Sequence, residues 1–260
     1  MPGQHGTAEP APKRSLWSEL SLGWEWAALR LSPVYYGAGV PRGDGAPVIV
    51  VPGFLATDIS LAELHLWLGR VGYRPYTSGL GINAECPDKM LEQLHETIDR
   101  AYRETGRRVR LIGHSLGGLL VRAAAAREPG KVAQVITLGT PAQRLVAHPL
   151  VMRLLRRVLR RSFRQGKGAC LHDFKEGLRE CLPPSVERAA ICSSVDPVVG
   201  WRDCVGLEGG PAIMVRGTHS GLVVNAQVYR ELGALLAPQQ RKPELLRPAA
   251  PPANGLAIAA

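Results

Sequence analysis

Ser115, Asp196 and His219 are the residues in this chain best suited to nucleophilic chemistry. A serine hydroxyl is a poor nucleophile at neutral pH. It needs a base to remove its proton and a carboxylate to orient and stabilise that base. Ser115 lies in Gly113-His114-Ser115-Leu116-Gly117-Gly118, between an apolar, β-prone run at 109–112 and a helix-like run at 119–127. A serine at a strand-to-helix corner with glycine two positions to each side is the nucleophile-elbow pattern. The corner strains the serine backbone so that its hydroxyl stands clear of the sheet edge, and side chains at the flanking positions would collide there. Gly118 lets the following helix lie close to the strands, and the helix N-terminus points free amides at the reaction centre.

Asp196 follows a β-like run at 187–194, and His219 follows another at 212–216. In an open parallel sheet, reactive groups belong at the carboxyl ends of the strands. The order Ser, Asp, His is the one expected for this kind of elbow. The roles therefore read as Ser115 the nucleophile, His219 the general base and then acid, and Asp196 its orienting partner. The other histidines are less well placed. His114 adjoins the nucleophile with its side chain expected to point elsewhere; His148 and His172 lie where no strand end presents them; His5, His65 and His95 lie in a tail or in helices. Asp203 is the rival to Asp196, seven residues further from the strand end. An oxyanion hole needs two backbone N–H donors. Leu116, after the nucleophile, supplies one, and Phe54, after the buried run 47–51, supplies the other. Pro52 has no N–H to give, and Gly53 permits a tight approach. Asn83, in the loop 79–83 after a strand end, is a candidate to line the substrate pocket.

The continuous apolar run at 47–51 and the mostly apolar, β-prone runs at 109–112 and 132–138 suit buried parallel strands, and 74–77 reads as a further strand. Apolar residues at helical spacing mark 59–70 (Leu61, Leu64, Leu68) and 89–104 (Leu91, Leu94, Ile98, Ala101). The pattern resumes with strands at 187–194 and 212–216 and a closing helix at 226–236. This alternation predicts an α/β fold: a mostly parallel sheet with helices on both faces and right-handed crossovers. It stops over 142–184, and an insertion of that length reads as a functional cap or lid. Within it, 150–164 is an amphipathic helix with Val151, Leu154, Leu155 and Val158 on one face and Arg153, Arg156, Arg157, Arg160, Arg161 and Arg164 on the rest. The preferred reading turns the apolar face to the site and the arginines to water; the alternative lays the helix on an anionic membrane surface. Upstream, 15–45 reads as an amphipathic helix at 15–31, with Trp17, Leu20, Trp24, Ala28 and Leu31 on one face, and a Gly-rich linker. The helix is expected to pack on the domain body, with a dimer or membrane contact as the alternative. Residues 1–14 and the Pro/Ala-rich 238–260 are expected to be disordered tails, which leaves 46–237 as the folded domain.

At 260 residues the chain suits one such domain. No run of eighteen apolar residues exists, which argues against a spanning helix. The polar, Gly/Pro-rich first twelve residues hold no apolar signal core, so a cytoplasmic protein, with peripheral membrane association left open, is expected. The net charge of +10 invites a nucleic-acid partner. No helix-turn-helix, RNA-binding or zinc-finger pattern accompanies the arginines, so no nucleic acid is expected. The five cysteines (Cys86, Cys170, Cys181, Cys192 and Cys204) are irregularly spaced and form no zinc or redox motif. Free thiols and no metal are expected, with a Cys192–Cys204 bridge left open.

The segments Val50-Val51-Pro52-Gly53-Phe54, Gly113-His114-Ser115-Leu116-Gly117-Gly118, Leu138-Gly139-Thr140-Pro141, Ser194-Val195-Asp196-Pro197 and Gly217-Thr218-His219, in this order, resemble the landmarks of α/β-hydrolase fold lipases and esterases. The resemblance covers roughly 47–236 and implies a small-molecule or lipid ester as substrate. It further implies an acyl-enzyme, no metal or other cofactor, and an insertion that acts as a lid. One departure stands out. Many of these enzymes carry His-Gly before the oxyanion residue, whereas Pro52-Gly53 stands here. The Phe54 donor survives that change; a role for a histidine there does not. The same three residues would serve an acyltransferase that passes the acyl group to an alcohol or thiol. A catalytically silent fold would serve as a membrane- or partner-binding module, and the intact Ser, Asp and His argue against it.

Overall fold

The computed structural model describes residues 16–142, 147–164 (backbone only for 162–164), 171–205 and 209–238. Among these, six strands form one sheet: β1 (Pro47–Val51), β2 (Arg74–Thr77), β3 (Val109–His114), β4 (Val132–Leu138), β5 (Glu187–Ser193) and β6 (Ala212–Val215). Their order is β2-β1-β3-β4-β5-β6, and every neighbouring pair is parallel. All strand carboxyl ends therefore meet one rim, where loops from distant parts of the sequence converge.

The period-two alternation of a strand sends neighbours to opposite faces. In β1, Val48 and Val50 enter one core and Ile49 and Val51 the other, which is why the run is apolar throughout. On the first face lie α1 (Leu22–Leu31), α2 (Ala62–Arg70) and α8 (Ala226–Leu236), contributing Leu29, Trp67 and Tyr229. Trp67 and Tyr229 are fully buried with ring centroids 4.8 Å apart, and each polar tip donates to a carbonyl, Val34 and Val223 respectively. On the second face lie α3 (Pro87–Thr105), α4 (Leu116–Arg127) and α6 (His172–Arg179). Two further helices, α5 (Pro149–Arg164) and α7 (Trp201–Cys204), stand over the rim.

Three features depart from the sequence expectations. The stretch expected to be one helix over 15–31 is a 3₁₀ turn, Leu16–Ser21, followed by α1. Its apolar stripe does not face the body: Trp17, Leu20, Trp24 and Leu31 are 78, 76, 75 and 83% exposed. Docking instead uses Leu29, the bonds of Trp26 and Arg30 to Glu63 of α2, and two carboxylates that find backbone N–H groups of the loop at 218–220. Second, α6 was not expected. Its N-terminal amides are capped by Asp88 from α3, through the N–H of His172 and of Phe174, both at 2.9 Å. Gly177 lies so close to α4 that a Cβ there would sit 2.9 Å from the Ala123 carbonyl oxygen. A cap donated from 84 residues away leaves no local signature. Third, Cys86 is disulfide-bonded, its partner lying outside the described residues, whereas Cys181, Cys192 and Cys204 are free thiols. Spacing cannot reveal a pairing that the fold creates. The stretches 1–14 and 239–260, and parts of 142–184, lie outside the described residues.

Candidate active site

Ser115 joins β3 to α4 with φ 53° and ψ −120°, a conformation that non-glycine residues rarely adopt. The strain is held by surrounding bonds. The Ser115 N–H donates to Leu138 O at 2.9 Å, while Ser115 O accepts from the Gly118 N–H and the Thr140 hydroxyl, both at 3.0 Å. The three glycines of the motif are needed for space rather than for unusual torsions, since none of them has positive φ. A Cβ on Gly113 would lie 2.5 Å from Gly117 O; on Gly117 it would overlap the carbonyls of Val51 and Pro52; on Gly118 it would overlap Thr140. A side chain would push α4 away from β3 at Gly113, from the end of β1 at Gly117, and from the loop after β4 at Gly118.

Asp196 and His219 meet across the rim, with His219 Nδ1 2.7 Å from Asp196 Oδ2. Asp196 follows β5, and its side chain is fully buried. Its other oxygen, Oδ1, accepts the N–H groups of Val198 at 2.7 Å and Val199 at 2.9 Å. A carboxylate satisfied on both oxygens fixes its own orientation, so Nδ1 carries the proton and Nε2 is the basic nitrogen. The Ser193 hydroxyl ties the end of β5 to the loop before His219 by donating to Gly217 O at 2.6 Å and accepting the Gly217 N–H at 3.2 Å. Gly139 closes the space behind the pair; a Cβ there would lie 3.2 Å from Asp196 Oδ2 and 3.3 Å from His219 Nδ1. Asp203 sits in α7 and makes no hydrogen bond to His219.

The Ser115 hydroxyl makes no hydrogen bond to a described residue. Nucleophile–base contacts are commonly loose until substrate tightens them, and rotation about one side-chain bond re-aims Oγ. His114, next to the serine in the chain, packs on the base. Its ring lies 4.8 Å from the His219 ring, centroid to centroid, and its Nε2 is 3.0 Å from His219 O. The acceptor is a carbonyl, so Nε2 carries the proton. His114 thus packs against the base, contrary to the expectation that it points elsewhere: the strained elbow rotates the preceding side chain along the rim, which torsion-free pattern reading misses. Burial, and secondarily the charge of His219, push the His114 pKa down from 6.5 to about 3. Because the folded value is depressed, the unfolded chain binds the extra proton first. Stability from this residue is present above pH 6.5 and is lost as pH falls toward 3, at up to about 1.4 kcal/mol per pH unit. A His114→Gln variant, which keeps an amide donor, should show a flatter decline of Tm between pH 6 and 4 than the wild type; parallel curves refute the assignment.

Phe54 and Leu116 share a narrow apolar cavity with Ser115. Leu116 is the first residue of α4, whose N–H has no intrahelical partner. The Phe54 N–H makes no hydrogen bond to a described residue. The loop that carries it is braced from behind: Leu55, at φ 62°, donates to Asn83 O at 2.8 Å, and Asn83 Nδ2 donates to Pro52 O at 2.6 Å. Asn83 is fully buried and does not line the cavity, so the expectation that it contacts substrate is corrected. Its Nδ2 is used on the backbone, while its Oδ1 is buried without a hydrogen-bond partner. Asn83→Ala should lower kcat on an ester roughly tenfold with KM little changed, the effect of losing a buried hydrogen bond worth about 1–2 kcal/mol. Unchanged kcat would show that the loop holds its shape unaided.

The cavity is roofed by Val151, Met152 and Leu155 of α5, while Leu119, Pro141 and Val199 form its walls. On its outer side, α5 presents Arg153, Arg156, Arg157, Arg160 and Arg161, which line a groove of about 760 Å³. Among the described residues the one grouping with metal-ligand geometry, His172, Asp173 and Glu176, lies on α6, where Asp173 is paired with Arg127 at 2.9 Å.

Residues 76–185 match a family model described as serine aminopeptidase, S33. That stretch contains Ser115 but neither Asp196 nor His219. Among curated proteins, a triacylglycerol lipase of Burkholderia plantarii is 35% identical over 119 residues, 42% of this chain and 33% of the relative. A triacylglycerol lipase of Pseudarthrobacter phenanthrenivorans is 38% identical over 104 residues, 36% of this chain and 33% of the relative. Both matches span about a third of the relatives' lengths. Among solved structures, Bacillus licheniformis lipase BlEst2 superposes with a TM-score of 0.58 at 13% identity, covering 77% of this chain and 95% of its own. A monoacylglycerol lipase of Paleococcus ferrophilus gives 0.53 at 14% identity, covering 76% and 96%. At these identities the structural likeness is one of fold.

Proposed function

We propose that this chain, which is similar over part of its length to a serine-hydrolase family model and to lipases and shares the fold of lipases and esterases, cleaves carboxylic esters through an acyl-enzyme on Ser115. The observation that carries this reading is a buried, doubly satisfied carboxylate 2.7 Å from His219 at the same rim as a serine held at positive φ. Ser115 Oγ adds to the ester carbonyl carbon as His219 Nε2 takes its proton. Asp196 holds Nδ1–H and stabilises the imidazolium without taking the proton itself. The negative oxygen that forms is met by the N–H groups of Phe54 and Leu116. Collapse of this intermediate expels the alcohol, which leaves with the proton from His219. Water then repeats the sequence on the acyl-enzyme, and the acid is released. A fluorophosphonate probe tests the assignment: it should label Ser115 stoichiometrically, and a protein that stays unlabelled is not a serine hydrolase.

The apolar cavity favours an aliphatic acyl group, and the roof formed by α5 supports the role of 142–184 as a lid. A panel of nitrophenyl esters scanned by chain length should show activity falling for acyl chains that outgrow the roofed cavity. Replacing Leu155 with alanine should extend the accepted length.

Two surface features support peripheral membrane contact as the way a lipid ester is reached. The stripe Trp17, Leu20, Trp24 and Leu31 is exposed, and the outer face of α5 is arginine without an acid. Tryptophan suits the membrane–water boundary, and each arginine near an anionic leaflet contributes about 1 kcal/mol. The protein should float with phosphatidylglycerol vesicles and not with phosphatidylcholine vesicles, and Arg156→Glu with Arg157→Glu should abolish flotation; equal flotation on both lipids, or none, rejects the contact. No helix among the described residues is long and apolar enough to cross a membrane. Cytoplasmic and oxidising compartments are told apart by Cys86, whose disulfide supports the latter because cytosolic thiols are kept reduced. Thiol titration of protein denatured without reductant decides between them: three thiols match the bridge, and five match a fully reduced chain.

A further inference from the structure

We propose that Glu19 and Glu25 are positioning residues for His219: two carboxylates of the N-terminal segment that grip the backbone on which the imidazole stands. Glu19 Oε1 accepts the His219 N–H at 2.8 Å, and its Oε2 accepts the Ser220 N–H at 2.9 Å. Glu25 Oε1 accepts the Thr218 N–H at 3.0 Å. Three consecutive amides, some 200 residues along the chain from the acids, are thereby taken up. The need for them is local. His219 precedes a short 3₁₀ turn, Ser220–Val224, whose opening N–H groups have no partner within the turn. Carboxylates are the favoured acceptors at that positive end.

The loop is shaped to receive the acids. A Cβ on Gly221 would overlap Glu25 Oε2, and one on Gly217 would lie 3.2 Å from it. Glu25 Oε2 is itself buried without a hydrogen-bond partner, a cost that a surface helix bears only where the docked position is held by its other contacts. Together with the site described above, residue 219 is fixed from three directions: its N–H by Glu19, its carbonyl by the Nε2–H of His114, and its Nδ1–H by Asp196. The ring can meet a serine on a different loop only if its own loop stays put, and displacements on the order of 1 Å are enough to cost about a hundredfold in rate.

The inference deepens the ester-hydrolase reading, and the test separates the two. In Glu19→Ala, kcat on a short-chain nitrophenyl ester should fall roughly ten- to hundredfold while KM stays within about twofold. Glu19→Gln, which keeps one carbonyl acceptor, should fall between that variant and the wild type. Gly221→Ala leaves both acids in the sequence but expels Glu25; because its Cβ would also lie 2.5 Å from Thr218 Oγ1, Glu25→Ala, which removes only the acceptor of the Thr218 N–H, is made beside it, and both should reproduce the loss. Hydrogen exchange is read in parallel. The segment 216–224 should exchange faster in each variant, while 190–199, which carries Asp196, is unchanged. If Glu19→Ala does not fold, Glu19→Gln and Gly221→Ala carry the comparison. A lowered Tm with unaltered kcat and unaltered exchange at 216–224 would mean that the acids merely stabilise the segment, and overturns the proposal. Absence of ester turnover in the wild type would count against the hydrolase reading alone, because the exchange measurement does not depend on it.

Discussion

Ser115→Ala should lower kcat on a short-chain nitrophenyl ester by roughly 10⁵-fold, with KM within a few-fold of wild type, the scale seen when a serine nucleophile is removed. The variant has no oxygen to form the acyl-enzyme, yet the N–H groups of Phe54 and Leu116 and the roofed cavity remain, so binding is kept and a small residual rate persists. The fold should tolerate the change well. Ser115 is held at φ 53° by backbone bonds to Leu138, Gly118 and Thr140, none of which uses its side chain. Measured Tm and loss of fluorophosphonate labelling complete the test. Turnover near wild type in a folded, unlabelled variant would remove Ser115 from the chemistry.

Asp196→Asn is expected to lower kcat roughly 10⁴-fold, by inverting the tautomer of His219. The direction follows from the partners. The N–H groups of Val198 and Val199 point at one side-chain oxygen, at 2.7 and 2.9 Å, so an asparagine must keep its carbonyl there. Its NH₂ then faces His219 Nδ1, across the 2.7 Å contact now made by Oδ2. An NH₂ can only donate, so Nδ1 gives up its proton and Nε2 acquires it. A protonated Nε2 cannot accept the proton of Ser115. Asp196→Ala should be less stable than Asp196→Asn, because it strands two buried N–H groups. Activity of Asp196→Asn within tenfold of wild type would show that the carboxylate does not set the tautomer; Asp203→Asn, which alters no hydrogen bond to the ring, should change turnover little.

Much of this molecule was legible in the chain. The β4 span 132–138 coincides with its apolar run, and α3 and α8 lie within two residues of their expected limits. The reason is that buried parallel strands and two-faced helices must carry their periodicity in the residues themselves. The elbow was legible for the same reason: Gly113, Gly117 and Gly118 each touch a neighbouring backbone or side chain so closely that no other residue fits. Asp196 and His219 could be picked out because strand ends are visible, and parallel strands share one rim.

Contacts made between segments that are distant in sequence left no such trace. The stripe of Trp17, Leu20, Trp24 and Leu31 suggested which face of the N-terminal segment would pack, and that face is the exposed one. Besides buried Leu29 and the bonds of Trp26 and Arg30 to Glu63, the docking uses Glu19 and Glu25, whose partners are backbone amides near residue 219, and backbone amides have no sequence signature. His114 was set aside because the torsions that swing it onto His219 arise only at the strained corner, and Asn83 was assigned to substrate although its amide is used on Pro52. Sequence by itself therefore determined the sheet, most of the helices packed on it and the three candidate residues at its rim, since these depend on local periodicity and steric exclusion. Tertiary structure alone decided what holds those residues in register, because a hydrogen bond to a backbone group can be supplied from anywhere the fold brings an acceptor.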